Sequence, residues 1–99
     1  MCLGAPAVVL SVEYDKMIAT VDYGDGIPRS VLIGISSDRV KKGDLVIVHA
    51  GVIISKTSEE DILEQIKFFE EILAEDAAGV SSIYKTLLEK SRLLKNEQV

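Results

Sequence analysis

The stretch Ala7-Val8-Val9-Leu10-Ser11-Val12-Glu13-Tyr14 decides the fold, because it is the first of several short runs rich in β-branched and aliphatic residues. Such a run, followed by the turn residues Asp15-Lys16, predicts a β-strand. The same pattern predicts four further strands downstream, at residues 17–23, 28–35, 45–50 and 52–55.

The connections between these runs are short. Gly24-Asp25-Gly26 predicts a hairpin turn because glycine accepts the positive φ that tight turns require, and Gly51 separates the last two strands. Residues 36–42 are polar and predict a loop. Five strands over so few residues cannot bury two faces as an open sheet, so we expect a small closed or nearly closed barrel. Our choice is an OB-like barrel, with a small SH3-like barrel as the alternative.

The hydrophobic period changes from two to three and four after Lys56. Ser58 followed by Asp61 resembles a capping box and predicts the start of a helix. A break is expected at Ala77-Ala78-Gly79, before a second amphipathic helix of more basic character. The two apolar stripes consist of Ile62, Ile66, Phe69 and Leu73, and of Val80, Ile83, Tyr84, Leu87, Leu88 and Leu94.

These patterns predict a mainly β protein, a five-stranded OB-like β-barrel followed by a C-terminal α-helical segment of one or two helices. We expect a single domain in which residues 1–57 form an N-terminal Cys arm and the barrel. Residues 58–99 would form amphipathic helices packed on the barrel or extending from it. The two helices could pair antiparallel or pack separately.

Charge and composition exclude several classes of function. The chain has 99 residues and a net charge of −5. Residues 1–57 contain six acidic and six basic residues, and residues 58–99 contain ten acidic and five basic residues. No basic face is available for phosphates, so we expect no nucleic-acid partner. The apolar runs are too short to span a bilayer and no secretory signal is evident, so we expect a cytoplasmic protein with no membrane partner.

The only cysteine, Cys2, lies in the opening segment Met1-Cys2-Leu3-Gly4-Ala5-Pro6. Glycine lets the backbone bend, while proline fixes its own φ and holds Ala5 extended. We therefore expect a short mobile arm that ends in a thiol and is mounted on a strand beginning at Ala7. The alternative is a disordered thiol with no role.

The sole histidine, His49, is expected at the end of the strand over residues 45–50. It could be a core or rim residue bonded to backbone. Together with Cys2 it could instead close on one metal ion or one reactive centre. Structural zinc normally takes four protein ligands and catalytic zinc three. A pair therefore suits a metal group that is carried briefly and has its other coordination positions filled.

No pattern for an enzyme is found. The sequence contains no Ser-His-Asp spacing, no glycine-rich phosphate loop and no paired carboxylates at catalytic spacing. A thiol enzyme with Cys2 as nucleophile and His49 as base is the weakest alternative, because no third group would orient the pair. We expect no enzymatic activity from this chain.

Four segments carry a resemblance to a known family. They are Met1–Pro6, Val21-Asp22-Tyr23-Gly24, the run Gly43-Asp44-Leu45-Val46-Ile47-Val48-His49-Ala50-Gly51, and Ile54-Ser55-Lys56. In this order and spacing they resemble the HypC/HupF family of [NiFe]-hydrogenase maturation chaperones. The resemblance covers roughly residues 1–76 and says nothing about residues 77–99.

The resemblance implies an OB-like barrel without catalytic activity of its own. It also implies a role in building the iron centre that carries carbon monoxide and cyanide. The partners would be a HypD-type iron–sulfur maturation protein and the [NiFe]-hydrogenase large-subunit precursor, to which the Fe(CN)2CO group is delivered. Iron would be transient cargo, with no permanent cofactor. A metal-free protein-interaction module is the alternative.

The resemblance also implies roles for individual residues. Cys2 would contact both the iron and the partner protein, and His49 would be the second metal ligand. The residues expected in the partner contact are Cys2, Leu3, Gly4, Pro6, His49 and Gly51.

Overall fold

The computed structural model describes residues 4–36, 39–73 and 78–96. Within those residues the chain forms a five-stranded closed β-barrel followed by two helices, which confirms the predicted fold class. The elements are β1 (Ala5–Glu13), β2 (Ile18–Asp22), β3 (Pro28–Ile33), β4 (Leu45–His49), β5 (Val52–Lys56), α1 (Glu59–Leu73) and α2 (Ala78–Asn96).

The barrel closes in the strand order β1-β2-β3-β5-β4, with β1 also paired to β4. All neighbouring strands are antiparallel except β3 and β5, which pair in parallel. This order is the Greek-key arrangement of an OB-type barrel. The first strand closes the barrel by pairing with β4 over residues 5–8 and with β2 over residues 8–13, and its register shifts between Val9 and Ser11. A bulge of this kind bends a strand and so allows it to serve two partners.

The first half of β1 is buried on both of its faces, from Pro6 to Val9. Ala7 and Val9 point into the barrel core, whereas Val8 points outward into a second apolar cluster beneath the helices. All three side chains are fully buried. This two-sided burial explains why the run at residues 7–10 is continuously apolar rather than alternating.

The helices form an antiparallel pair that covers the outer wall at β1 and β4. The guanidinium of Arg92 lies 3.2 Å from the carboxylate of Glu59, and the ammonium of Lys85 lies 3.5 Å from that of Glu70. The start of α1 therefore meets the end of α2. Of the two arrangements left open by the sequence, the structure shows the antiparallel pair, and this pair packs on the barrel. Their shared core consists of Val8, Leu45, Ile62, Ile66, Leu87 and Leu88.

Two predictions concern where the helices begin: the cap at Ser58 and the break at residues 77–79. The cap at Ser58 is confirmed, because its hydroxyl oxygen accepts a hydrogen bond of 3.1 Å from the Asp61 amide. The break predicted at residues 77–79 was wrong in part, because Ala78 and Gly79 already belong to α2. Ala77 lies outside the described residues, as do the side chains of Phe69, Leu73 and Val80.

Two polar contacts attach α2 to the barrel. Asp22 is 1% exposed; its Oδ1 accepts hydrogen bonds from the Gly24 amide at 2.7 Å and the Gly26 amide at 3.2 Å, and its Oδ2 pairs with the Lys90 ammonium. The Ser91 hydroxyl donates a buried bond of 2.6 Å to the carbonyl of Gly43. The first contact fixes the turn between β2 and β3 to the helix, and the second fixes the segment just before β4.

The pKa of Asp22 reflects this environment. Burial raises the pKa of the carboxyl group, but hydrogen bonds from Lys90, Gly24 and Gly26, together with the Lys90 charge, outweigh burial and hold the pKa below its usual value. A carboxylate with a lowered folded-state pKa contributes stability that is present above its unfolded pKa. That contribution is lost as the pH falls through the folded-state pKa.

We expect Gly24→Ala to destabilise the protein much more than Gly26→Ala. Both glycines have positive φ, of 98° and 79°, so each alanine incurs a conformational cost of about 1–2 kcal/mol. A Cβ at Gly24 would lie 2.9 Å from the carbonyl oxygen of Ile83 in α2, whereas a Cβ at Gly26 meets nothing within 4 Å. Urea unfolding at neutral pH measures the difference, which we expect to exceed about 1 kcal/mol. Equal losses of unfolding free energy in the two variants would show that α2 makes no close steric contact with this turn.

We expect Asp22→Asn to lower the free energy of unfolding at pH 7 by about 1.5–3 kcal/mol, the range for hydrogen bonds to charged groups. Because the wild-type carboxylate is itself protonated in acid, the gap between the two proteins should narrow from pH 5 towards pH 2. The matched control is Asp25→Asn in the same turn, whose carboxylate is exposed and should contribute less. If the difference in unfolding free energy between wild type and Asp22→Asn did not change with pH, this account of Asp22 would be contradicted.

Candidate functional site

The barrel topology brings three segments together at one end. Because β1 runs antiparallel to both β2 and β4, its first residues lie level with the last residues of those strands. We call this region the arm end and define it as residues 4–6, 23–27 and 49–52. The described part of the first predicted site region, residues 4–6, therefore meets the end of β4 that carries His49.

Gly4 provides the closest contact between these regions. Ala5 pairs with Val48 in the sheet, so the chain at Gly4 lies against the end of β4. A Cβ at Gly4 would stand 2.3 Å from the carbonyl oxygen of Val48 and 3.2 Å from Cα of His49. The sequence suggested that glycine is needed here for bending. The structure shows instead that only glycine fits, because two backbones approach closely.

The predicted arm over residues 1–6 is wrong for its last two residues. Ala5 and Pro6 belong to β1, where they pair with Val48 and Ile47, so the prediction of a strand starting at Ala7 was wrong by two residues. Proline is tolerated because β2 pairs with β1 only from Val8 onward, which leaves Pro6 with a strand neighbour on one side. Cys2 and Leu3 lie outside the described residues.

His49 is the last residue of β4 and is exposed at the rim of the barrel, so it is not a core histidine. Among the described residues no side chain makes a hydrogen bond or ion pair with its imidazole. The hairpin that follows has only two turn residues, Ala50 and Gly51, with φ of 51° and 79°. Two positive φ values define the type I′ turn, which fits the twist of antiparallel strands.

The hairpin tip is strained and anchored. Ala50 occupies the left-handed region, at a conformational cost of about 1–2 kcal/mol, and sequence patterns did not reveal this. The carbonyl of Gly51 accepts a hydrogen bond of 2.9 Å from the Leu32 amide of β3. This bond fixes the hairpin tip to β3, so the backbone next to His49 is held in place.

The charged groups at the arm end bond to one another. Asp25 lies 2.9 Å from the Arg29 guanidinium, which in turn stands 5.2 Å from the centroid of the Tyr23 ring. The pKa of the Asp25 carboxyl is lowered chiefly by the hydrogen bond from the Ile27 amide, against a smaller opposing effect of burial and with help from Arg29. Sequence reasoning placed Asp25 in a turn but missed the contact of Tyr23 with Arg29, which follows from the β2–β3 register that sets Val21 opposite Arg29.

The arrangement offers few ligands for a metal. Within residues 4–36, 39–73 and 78–96, no group of three or more histidine, cysteine, aspartate or glutamate side chains could hold a metal ion. Within its described residues the arm end therefore presents the imidazole of His49 next to Gly4. No helix in the described parts of the chain is long and apolar enough to cross a membrane.

Comparisons with known proteins cover this same region. A model of the HupF/HypC family matches residues 1–69, which include the whole barrel and most of α1. The chain is also similar to a Helicobacter hepaticus protein named hydrogenase maturation factor HypC. The two are 34% identical over 73 residues, which is 74% of this chain and 83% of that protein. The family match ends before α2 begins.

We expect Gly4→Ala to push the start of the chain away from β4, because the added methyl group would collide with the Val48 carbonyl. Amide NMR spectra should show shifted signals for Val48 and His49 and an unchanged barrel core. Gly26→Ala is the control at the same end, since its methyl group meets open space. Unmoved Val48 and His49 signals in Gly4→Ala would contradict the close contact.

Proposed function

This chain belongs to the HupF/HypC family, and from that premise we propose that it is a hydrogenase maturation factor that carries the Fe(CN)2CO group between proteins. The observation that carries the proposal is the contact of Gly4 with Val48 and His49. It places Gly4 at the strand end that bears the sole histidine, and the sole cysteine lies two residues before Gly4 in the sequence.

Covalent geometry supports a shared iron site. Two residues span at most about 7 Å, so Cys2 is tethered within that distance of Gly4. Its thiolate can therefore approach the His49 imidazole with the barrel in its present form. Iron bearing carbon monoxide and cyanide is a soft acceptor, for which thiolate is an apt donor, and imidazole also suits iron.

A site with two protein ligands suits cargo that must be released. Carbon monoxide and cyanide already occupy coordination positions on the iron, so a thiolate and an imidazole hold it without enclosing it. Closed sites with four protein ligands serve a permanent structural role. An acceptor that offers more ligands would take the iron from this chain, which makes Cys2 the transfer ligand.

The proposal requires two partner proteins. One is a HypD-type iron–sulfur maturation protein, with which the chain holds the iron group during its assembly. The other is the [NiFe]-hydrogenase large-subunit precursor, which receives it. In this account Cys2, Leu3, Gly4, Pro6, His49 and Gly51 form the contact around the iron, and the chain itself catalyses no reaction.

We expect Cys2→Ala to abolish iron carriage and His49→Ala to reduce it severalfold. Each variant is purified without oxygen together with the HypD-type protein, then examined by infrared spectroscopy for carbonyl and cyanide stretching bands and by iron analysis. Glu64→Ala, on the exposed side of α1, is the control and should retain wild-type bands. Wild-type band intensity in Cys2→Ala would refute the proposal. A wild-type complex without iron would favour the metal-free interaction module.

A further inference from the structure

We propose that an apolar row on the uncovered barrel wall is the docking surface for the protein with which this chain holds the iron group. The row consists of Ile18, Leu32 and Val52, with His49 at its end and the exposed Ile54 beside it. This inference rests on the proposed function and extends it to a surface that the site motif does not contain.

The sheet register defines the row. Ile18 pairs with Leu32, Leu32 pairs with Val52, and Val52 pairs with His49. Residues directly opposite one another in neighbouring strands project from the same face. Their chain neighbours Ala19, Val31, Ile33, Val48 and Ile53 belong to the barrel core, so the row faces outward.

This wall is the one that the helices leave bare. The apolar cluster beneath α1 and α2 draws its strand residues from β1 and β4, where Val8 and Leu45 are buried. On the row, Leu32 is 55% exposed and Ile54 is also exposed, while Ile18 and Val52 are half-buried. Single exposed aliphatic residues are ordinary, but a contiguous apolar patch marks an interaction site.

The chemistry of the row points to an uncharged partner surface. The next outward residues along β2 and β3, Thr20 and Ser30, are neutral. At the far end of the row Glu13 of β1 lies opposite Ile18, and its carboxylate pairs with the Lys16 ammonium at 3.4 Å, so the middle of the row is uncharged. The exposed side of α1 differs, because it carries Glu60, Glu64 and Glu71. A partner patch of aliphatic or aromatic residues therefore fits the row, and a basic surface would favour the helix.

The size of the row favours the iron-sharing partner over a second copy of this chain. A standard protein interface buries about 800 Å² on each side, which a row of a few part-exposed side chains cannot supply alone. A stable partner must also cover the adjoining arm end, including Gly4 and the hairpin tip at Ala50. A protein that binds both the row and the arm end would place its own side chains near the Cys2 thiol and the His49 imidazole. The row would then be the apolar centre of that complex.

The test compares two exposed leucines. Leu32→Lys places a charge in the row, and Leu63→Lys places the same charge on α1 at a residue of similar exposure, 55% against 48%. Calorimetry without oxygen measures the binding of each full-length variant to the purified HypD-type protein. We expect the Kd to rise at least about tenfold for Leu32→Lys and less than about twofold for Leu63→Lys. Circular dichroism checks folding, and Leu32→Ser replaces Leu32→Lys if the charge unfolds the barrel.

The outcomes separate this inference from the proposed function. Wild-type affinity in Leu32→Lys or Leu32→Ser, with iron bands intact in the wild-type complex, would overturn the docking surface and leave iron carriage standing. A wild-type complex that lacks iron bands but is weakened by Leu32→Lys would support the surface and refute carriage. A dimer of this chain that dissociates in Leu32→Lys, as measured by sedimentation, would reassign the row to self-association and overturn the inference.

Discussion

The burial of β1 on both faces is the constraint on which the rest of the structure depends. Val9 must face the barrel core and Val8 must be covered from outside, so the strand is fixed between the barrel interior and the helices. Its bulge lets it pair with β2 and β4 at once and so close the barrel. Closure places the first described residue, Gly4, against the end of β4. The contact of Gly4 with Val48 and His49 is therefore a consequence of how the barrel closes.

The second helix lies beyond the residues of the family match and packs on the barrel. Leu87 and Leu88 help to bury Val8, and Lys90 pairs with the buried Asp22 beside the turn at the arm end. A helix that covers one wall of the barrel also leaves the other wall bare. The covered wall provides stability, while the bare wall carries the apolar row that begins at His49. Under the docking proposal, stability and partner binding lie on different walls of one small barrel.

Local patterns were sufficient to predict the elements but not their long-range contacts. The strands, the closed barrel and the cap at Ser58 follow from alternation and turn chemistry within a few residues. The inclusion of Ala5 and Pro6 in β1 depends on pairing with residues more than forty positions away, and no local signal encodes it. The same holds for the closeness of Gly4 to Val48 and for the apolar row, which requires the register of four strands. The division of the chain at residue 57 stays a prediction.

The chain contains one cysteine and one histidine, so selective labelling gives one signal for each proposed ligand. The most direct measurement is NMR of this chain, labelled with ¹³Cβ-cysteine and ¹⁵N-histidine, in its complex with the unlabelled iron-bearing partner. Low-spin iron with carbon monoxide and cyanide is diamagnetic, so both signals remain sharp. The account predicts that the Cys2 Cβ signal and one ring nitrogen of His49 shift together when iron is present. Iron in the complex with both signals unmoved would contradict it.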